Sequence, residues 1–154
     1  LNTSHSPAEK AEAETEYKIA LKLNPFDERS VCRLGDVAMH RGDMKTAYDY
    51  FSKALKLEPN DAEANLGLAK VLMSQHQLKE AEPHLKLAIQ KEPFNSAAHY
   101  RLGVLYRELG RPDDAHSELV EFQKLKKMKS RLSDLYQQMR LSPGKAAESD
   151  PDTP

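Results

Sequence analysis

Apolar residues along this chain recur at steps of three and four, in runs cut by prolines and short polar turns. Val31, Leu34, Val37 and Ala38 form one such run, the spacing of an amphipathic helix with one face turned inward. The stretch ALKLEPNDAEANLGLA, from Ala54 to Ala69, closes one helix, inserts Pro59 and a polar turn, and opens the next. LAIQKEPFNSAAHYRLG, from Leu87 to Gly103, repeats the sentence around Pro93. Asp27, Asp61 and Asn95 stand where a short side-chain oxygen caps the free amides of a helix start. Gly42 and Gly110 suit a left-handed stop, and Asp43 and the Arg111-Pro112 pair suit a helix entry. A proline disfavours helical geometry in the residue before it, so the helices preceding Pro59 and Pro93 end there.

The punctuation has a fixed period. Pro25, Pro59 and Pro93 are equally spaced, and the same step separates Ala13, Ala47, Ala81 and Ala115, and Ala20, Ala54 and Ala88. Leu34, Leu68 and Leu102 keep that step too, each followed by a small residue, and Tyr17, Phe51, Leu85 and Leu119 form a further series. Such self-similarity marks units that bury their apolar faces only by stacking. Small residues at Gly35, Ala47, Ala69, Ala81, Gly103 and Ala115 let paired helices approach closely. The expected organisation is a lone second helix over residues 8–25 and full units over 28–61, 62–95 and 96–127. A capping helix or helix extension follows over 128–141, then a polar, disordered tail over 142–154.

This pattern resembles the tetratricopeptide repeat (TPR) family, whose unit is likewise a pair of helices. The matching residues are Leu34-Gly35, Gly42, Ala47, Phe51, Ala54 and Pro59 in the first full unit and Leu68, Ala69, Ala81, Leu85, Ala88 and Pro93 in the second. Leu102-Gly103, Tyr106, Gly110, Ala115 and Leu119 match in the third, and the resemblance covers about residues 8–127. It implies an all-α, right-handed α-solenoid (an alpha-alpha superhelix) of three hairpins. The departures are specific. Val31, Asn65 and His99 replace the family's frequent tryptophan, His76 stands where glycine closes the other turns, and Pro83 falls inside a second helix, where it bends that helix or delays its start.

Both ends carry expectations. The first segment supplies only second-helix signals, so Tyr17, Ile19 and Ala20 are left partly bare. That predicts a longer natural protein, or weak homodimerisation through the N-terminal end. At the other end Leu119, Phe122, Leu125, Met128, Leu132, Leu135 and Met139 continue the helical step. A cap is expected, with Leu132 and Leu135 laid on the last hairpin while Lys129 and Arg131 face water.

Composition narrows function mainly by exclusion. The 154 residues hold 23 Lys plus Arg against 24 Asp plus Glu, so no overall field draws in nucleic acid or a membrane. No apolar run nears the roughly 20 residues of a membrane span. The single cysteine, Cys32, allows no internal disulfide. No glycine-rich phosphate loop, nucleophile elbow or framed carboxylate pair is present, so no catalytic residue and no cofactor is assigned.

Transferring the concave-wall positions of TPR proteins to this chain implies a protein or peptide site. It comprises Arg29, Asp36 and Met39, then Leu66, Lys70 and Met73, then Tyr100, Val104 and Arg107, with Cys32, His40, Glu63, Ser74, Ala97 and Glu108 beside them. Methionines and an aromatic suit an adaptable surface for an apolar segment. The clamp with which some TPR modules grip acidic chaperone tails is missing: its positions hold Cys32 and Asp36, then Gly67, then Tyr100 and Val104. Cys32, Asp36 and His40 recur at i, i+4, i+8, but two helical turns separate the outer pair too far for one ion, so no metal is assigned. KLKKMKSR, from Lys124 to Arg131, is dense in positive charge. It offers an alternative site for nucleic acid or an acidic partner, nucleic acid being disfavoured because no aromatic stacking set accompanies the charges.

Overall fold

A computed structural model describes residues 7–141, with side chains described from 11 to 140. The expected tail over 142–154 lies outside the described residues. Among the described residues seven helices follow one another: α1 (Pro7–Leu23), α2 (Glu28–His40), α3 (Met44–Leu57), α4 (Ala62–Ser74), α5 (Leu78–Lys91), α6 (Ser96–Glu108) and α7 (Pro112–Leu141). The fold is all-α.

Local chemistry sets the boundaries. Asp43 accepts from the Thr46 amide at 3.0 Å, Asp61 from Ala64 at 2.6 Å and Asn95 from Ala98 at 3.2 Å. Each satisfies an amide that a helix start leaves free. Asp27 holds the corresponding position without capping; its carboxylate accepts from the Ser30 hydroxyl instead. The hairpin turns close through left-handed residues, Gly42 at φ 80° and Gly110 at φ 70°. His76 takes the same conformation at φ 58°, so the turn geometry survives where the glycine does not, with Cβ strain of order 1 kcal/mol. Pro83 lies within α5 and does not delay the helix, which already begins at Leu78.

Helices adjacent in the chain pack together, which makes hairpins of α2 with α3, α4 with α5 and α6 with α7. In addition α2 meets α4 and α4 meets α6, whereas α1, α3, α5 and α7 do not approach one another. The first helices therefore form a continuous inner wall and the second helices an outer row. Phe51 of α3 is fully buried at the joint between the first two hairpins, its ring fitted against the bare Cα positions of Gly35 and Gly67. Leu85 and Leu105 fill the core further along. Ion pairs span the hairpins: Arg33 to Glu63 at 2.5 Å and Arg111 to Glu82 at 3.1 Å. Arg111 also lies over the Tyr106 ring, 4.2 Å from its centre.

The position held by tryptophan elsewhere in the family carries a polar knot in two repeats. Asn65 is buried and donates to the carbonyls of Pro59 (3.1 Å) and Asp61 (2.7 Å), while its oxygen meets His84 Nδ1 at 2.8 Å. His99, one repeat further on, meets the Pro93 carbonyl at 3.1 Å and Glu118 at 2.7 Å. Asn65, Pro59 and His84 thus become His99, Pro93 and Glu118 under the same shift, so the hydrogen-bonding pattern repeats even where the residue types change.

Of the two C-terminal alternatives the structure has the helix extension, and the expected seating of Leu132 and Leu135 is corrected. α7 runs unbroken past residue 127, and Leu132 and Leu135 are about half exposed rather than laid on the last hairpin. Nothing in the sequence bends the helix back: no glycine or proline interrupts 113–141, so it continues straight off the shorter α6. At the N-terminus α1 packs on α2, with Arg41 ion-paired to Glu14 and Tyr17 half-buried, while Ile19, Leu23 and Phe26 are exposed.

Candidate peptide-binding wall

The inner wall is built from α2, α4 and α6. On α2, Arg29 is exposed, Met39 is half-buried, and Asp36 is occupied by Arg33 at 3.4 Å. Arg33 reaches from there to Glu63, so two acids of the wall are neutralised by one guanidinium that also ties α2 to α4. On α4, Lys70 and Met73 are partly exposed, but Leu66 is buried at 6% exposure and belongs to the core. The repeat register assigns Leu66 to the wall; the structure places it in the buried core cluster instead. Cys32, beside the wall in sequence, is buried in the same way. On α6, Arg107 is exposed and Val104 half-buried, and the Tyr100 ring leans on Phe122 of α7, centroids 5.2 Å apart.

The structure brings some of these residues into one depression of about 380 Å³, lined by Met39, His40, Met44, Lys70, Ser74 and Arg101. Arg29, Tyr100, Val104 and Arg107 lie outside it. Two lining residues escape the sequence reading. Met44 opens α3 and so stands outside the first-helix register. Arg101 was detectable, since it stands two repeats after Arg33, whose side chain crosses the same wall. Neither Lys70 nor Arg101 has an ion-pair partner among the described residues, so the depression combines thioether side chains with unpaired positive charge. His40 Nδ1 donates to the Asp36 carbonyl of its own helix at 2.7 Å.

The i, i+4, i+8 trio is not gathered by the fold, since Cys32 is buried and His40 exposed. Glu28, Cys32 and Asp61 are gathered instead, with ligand-type atoms within 4.8 Å of one another. Burial, helped by Glu63 and other nearby carboxylates, pushes the Cys32 thiol well above its ordinary range. Burial also raises Glu28, with Asp61 and further acids adding to it. Both shifts favour the protonated forms while no cation lies among these three groups.

Stacked helical hairpins whose first helices make a shared wall define the chain as a TPR solenoid, a class whose modules are typically non-catalytic protein-interaction scaffolds. More particularly, the chain belongs to the family described as the cytochrome c-type biogenesis protein H TPR domain, whose family model matches residues 11–140. No curated protein sequence matches the chain significantly. Among solved structures, a crystal structure of MamA is similar at TM-score 0.69 and 23% identity, over 82% of this chain and 75% of that one. A MamA from Desulfovibrio magneticus RS-1 is similar at TM-score 0.66 and 26% identity, over 76% and 66%. YrrB, a TPR protein with an unusual peptide-binding site, is similar at TM-score 0.63 and 24% identity, over 75% of this chain and 60% of YrrB.

Proposed function

We infer that the chain is a non-catalytic scaffold whose inner wall holds a polypeptide segment carrying apolar and acidic side chains. One observation carries this: Met39 and Met44 line one depression together with Lys70 and Arg101, two cations unpaired among the described residues. Adaptable apolar contact plus free positive charge selects a peptide with a hydrophobic residue flanked by Asp or Glu. YrrB, a peptide-binding TPR protein of the same fold, supports the class of ligand.

Random peptides displayed on phage and selected on the chain test this. Enriched sequences should combine apolar and acidic positions, and Lys70→Glu with Arg101→Glu should weaken them by about tenfold or more. Selected peptides that keep full affinity for this folded double variant would remove the wall from consideration. Leu66 is unsuitable for such a test, because an acid there disrupts the core.

Two further readings each have an observation in favour. Lys126, Lys127, Lys129 and Arg131 are all exposed on α7, which favours an acidic partner there. Ile19, Leu23 and Phe26 are exposed at the N-terminal end, which favours weak pairing of two chains through that face. Light scattering across a concentration series should then show mass rising with concentration and a monomer for Leu23→Ser with Phe26→Ser; a constant monomer mass for the unmodified chain refutes the pairing.

A further inference from the structure

α7 outruns the element that supports it. Its 30 residues extend about 45 Å, against about 20 Å for the 13 residues of α6, the one helix it contacts. The register is fixed by three meetings: Gly103 with Leu119, His99 with Glu118, and Tyr100 with Phe122. The two helices run in opposite directions, so α6 is used up a turn or so beyond Phe122. Every residue from 126 to 140 is exposed.

This overhang has an ordered apolar stripe. Leu125, Met128, Leu132, Leu135 and Met139 follow one another at steps of 3, 4, 3 and 4, the a and d positions of two heptads. The last four are 49–62% exposed. A seam of two positions in seven fits one partner helix; a helix lying in a bilayer surface shows a broader apolar face, commonly with tryptophan, and this chain has none. The positions flanking the seam are Lys124, Lys129 and Arg131, then Tyr136 and Gln138. Between 121 and 140 six Lys and Arg stand against two acids, Asp134 and Glu121, the latter paired with Lys124 at 2.5 Å. In a parallel pair of copies Lys124 of one chain faces Lys129 of the other, so like charges oppose self-pairing.

We propose that residues 125–139 dock a single amphipathic helix of another protein, apolar along one stripe and acidic on its flanks. This rests on the reading of α7 as a site for an acidic partner and narrows that partner to a helix; it is independent of the inner wall. The overhang propagates from a helix already formed on α6, so the partner meets a helical stripe. Two heptads give a short contact, for which a Kd on the order of micromolar is expected.

The test uses the full chain and three synthetic probes: a three-heptad peptide with leucine at a and d and glutamate at e and g, its lysine-flanked counterpart, and a scrambled glutamate peptide. The chain should bind the first and neither of the others. Leu132→Ser with Leu135→Ser should weaken binding by about tenfold or more, with the helical spectrum of residues 7–127 retained. Lys124→Glu, Lys129→Glu and Arg131→Glu together should switch preference to the lysine-flanked peptide. The proposal falls if the glutamate peptide does not bind, or if its binding ignores the charge reversal. Binding of scrambled peptide that survives the leucine changes would leave an acidic partner but remove the helical seam. Tighter capture by anionic vesicles, or a dimer abolished by the leucine changes, would assign the stripe to a bilayer or a second copy and also overturn it.

Discussion

His84 shows how a single side chain ties repeat packing to solution conditions. Its Nδ1 faces the buried Asn65 oxygen at 2.8 Å, and because both Asn65 amide contacts already go to carbonyls, His84 must be the donor. Burial lowers its pKa, so between the folded value and the ordinary value near pH 6.5 the unfolded chain binds the proton more tightly. The contribution is present at neutral pH and is lost as pH falls below about 6.5. Stability measured by urea unfolding should therefore decline from pH 7 to pH 5 more steeply in the unmodified chain than in His84→Gln. Equal slopes would show that the knot is insensitive to this proton. None of this was legible in the sequence, where Asn65 and His99 read only as departures from a tryptophan. A residue type does not reveal its partner when that partner lies 19 positions away on another helix.

Between elements, the joint of α3 with α4 depends on what is missing. A Cβ built at Gly67 would lie 2.3 Å from Phe51, and one at Gly35 would lie 2.8 Å from it. Gly67→Ala should gain about 1 kcal/mol of helix propensity, yet the fully buried ring has nowhere to go. A net loss of about 1–2 kcal/mol is expected, and Phe51→Leu alone should cost a similar amount. The double variant should lose less than the two combined, since the smaller side chain makes room for the methyl; simple additivity in chemical denaturation would refute the fit. The repeat period places Phe51 and Gly35 in the joint correctly, because that period reports helix pairing directly. It gave no warning that Gly67 shares the ring. Pro83 reads as a point where α5 bends or starts late; the late start is excluded, since the helix already runs from Leu78 through it.

For the molecule as a whole, the solenoid was legible because each repeat restates the same apolar positions, and three restatements outvote local exceptions such as His76. The candidate wall was legible only in part. Its register follows from the repeat, but which positions remain open depends on the packing, which places Leu66 in the core while leaving Met39 and Lys70 accessible. The C-terminal end misled because a three-and-four pattern says that a helix has an apolar stripe without saying what meets it.

The nearest-neighbour packing of the hairpins has a mechanical consequence. No described contact joins one end of the stack to the other, so its curvature is the accumulated tilt at successive joints. Phe51 acts as a shim in the first of these. A tilt change there is carried by every later hairpin and so displaces the far tip of α7. The volume of one ring therefore calibrates distances on a surface several helices away from it.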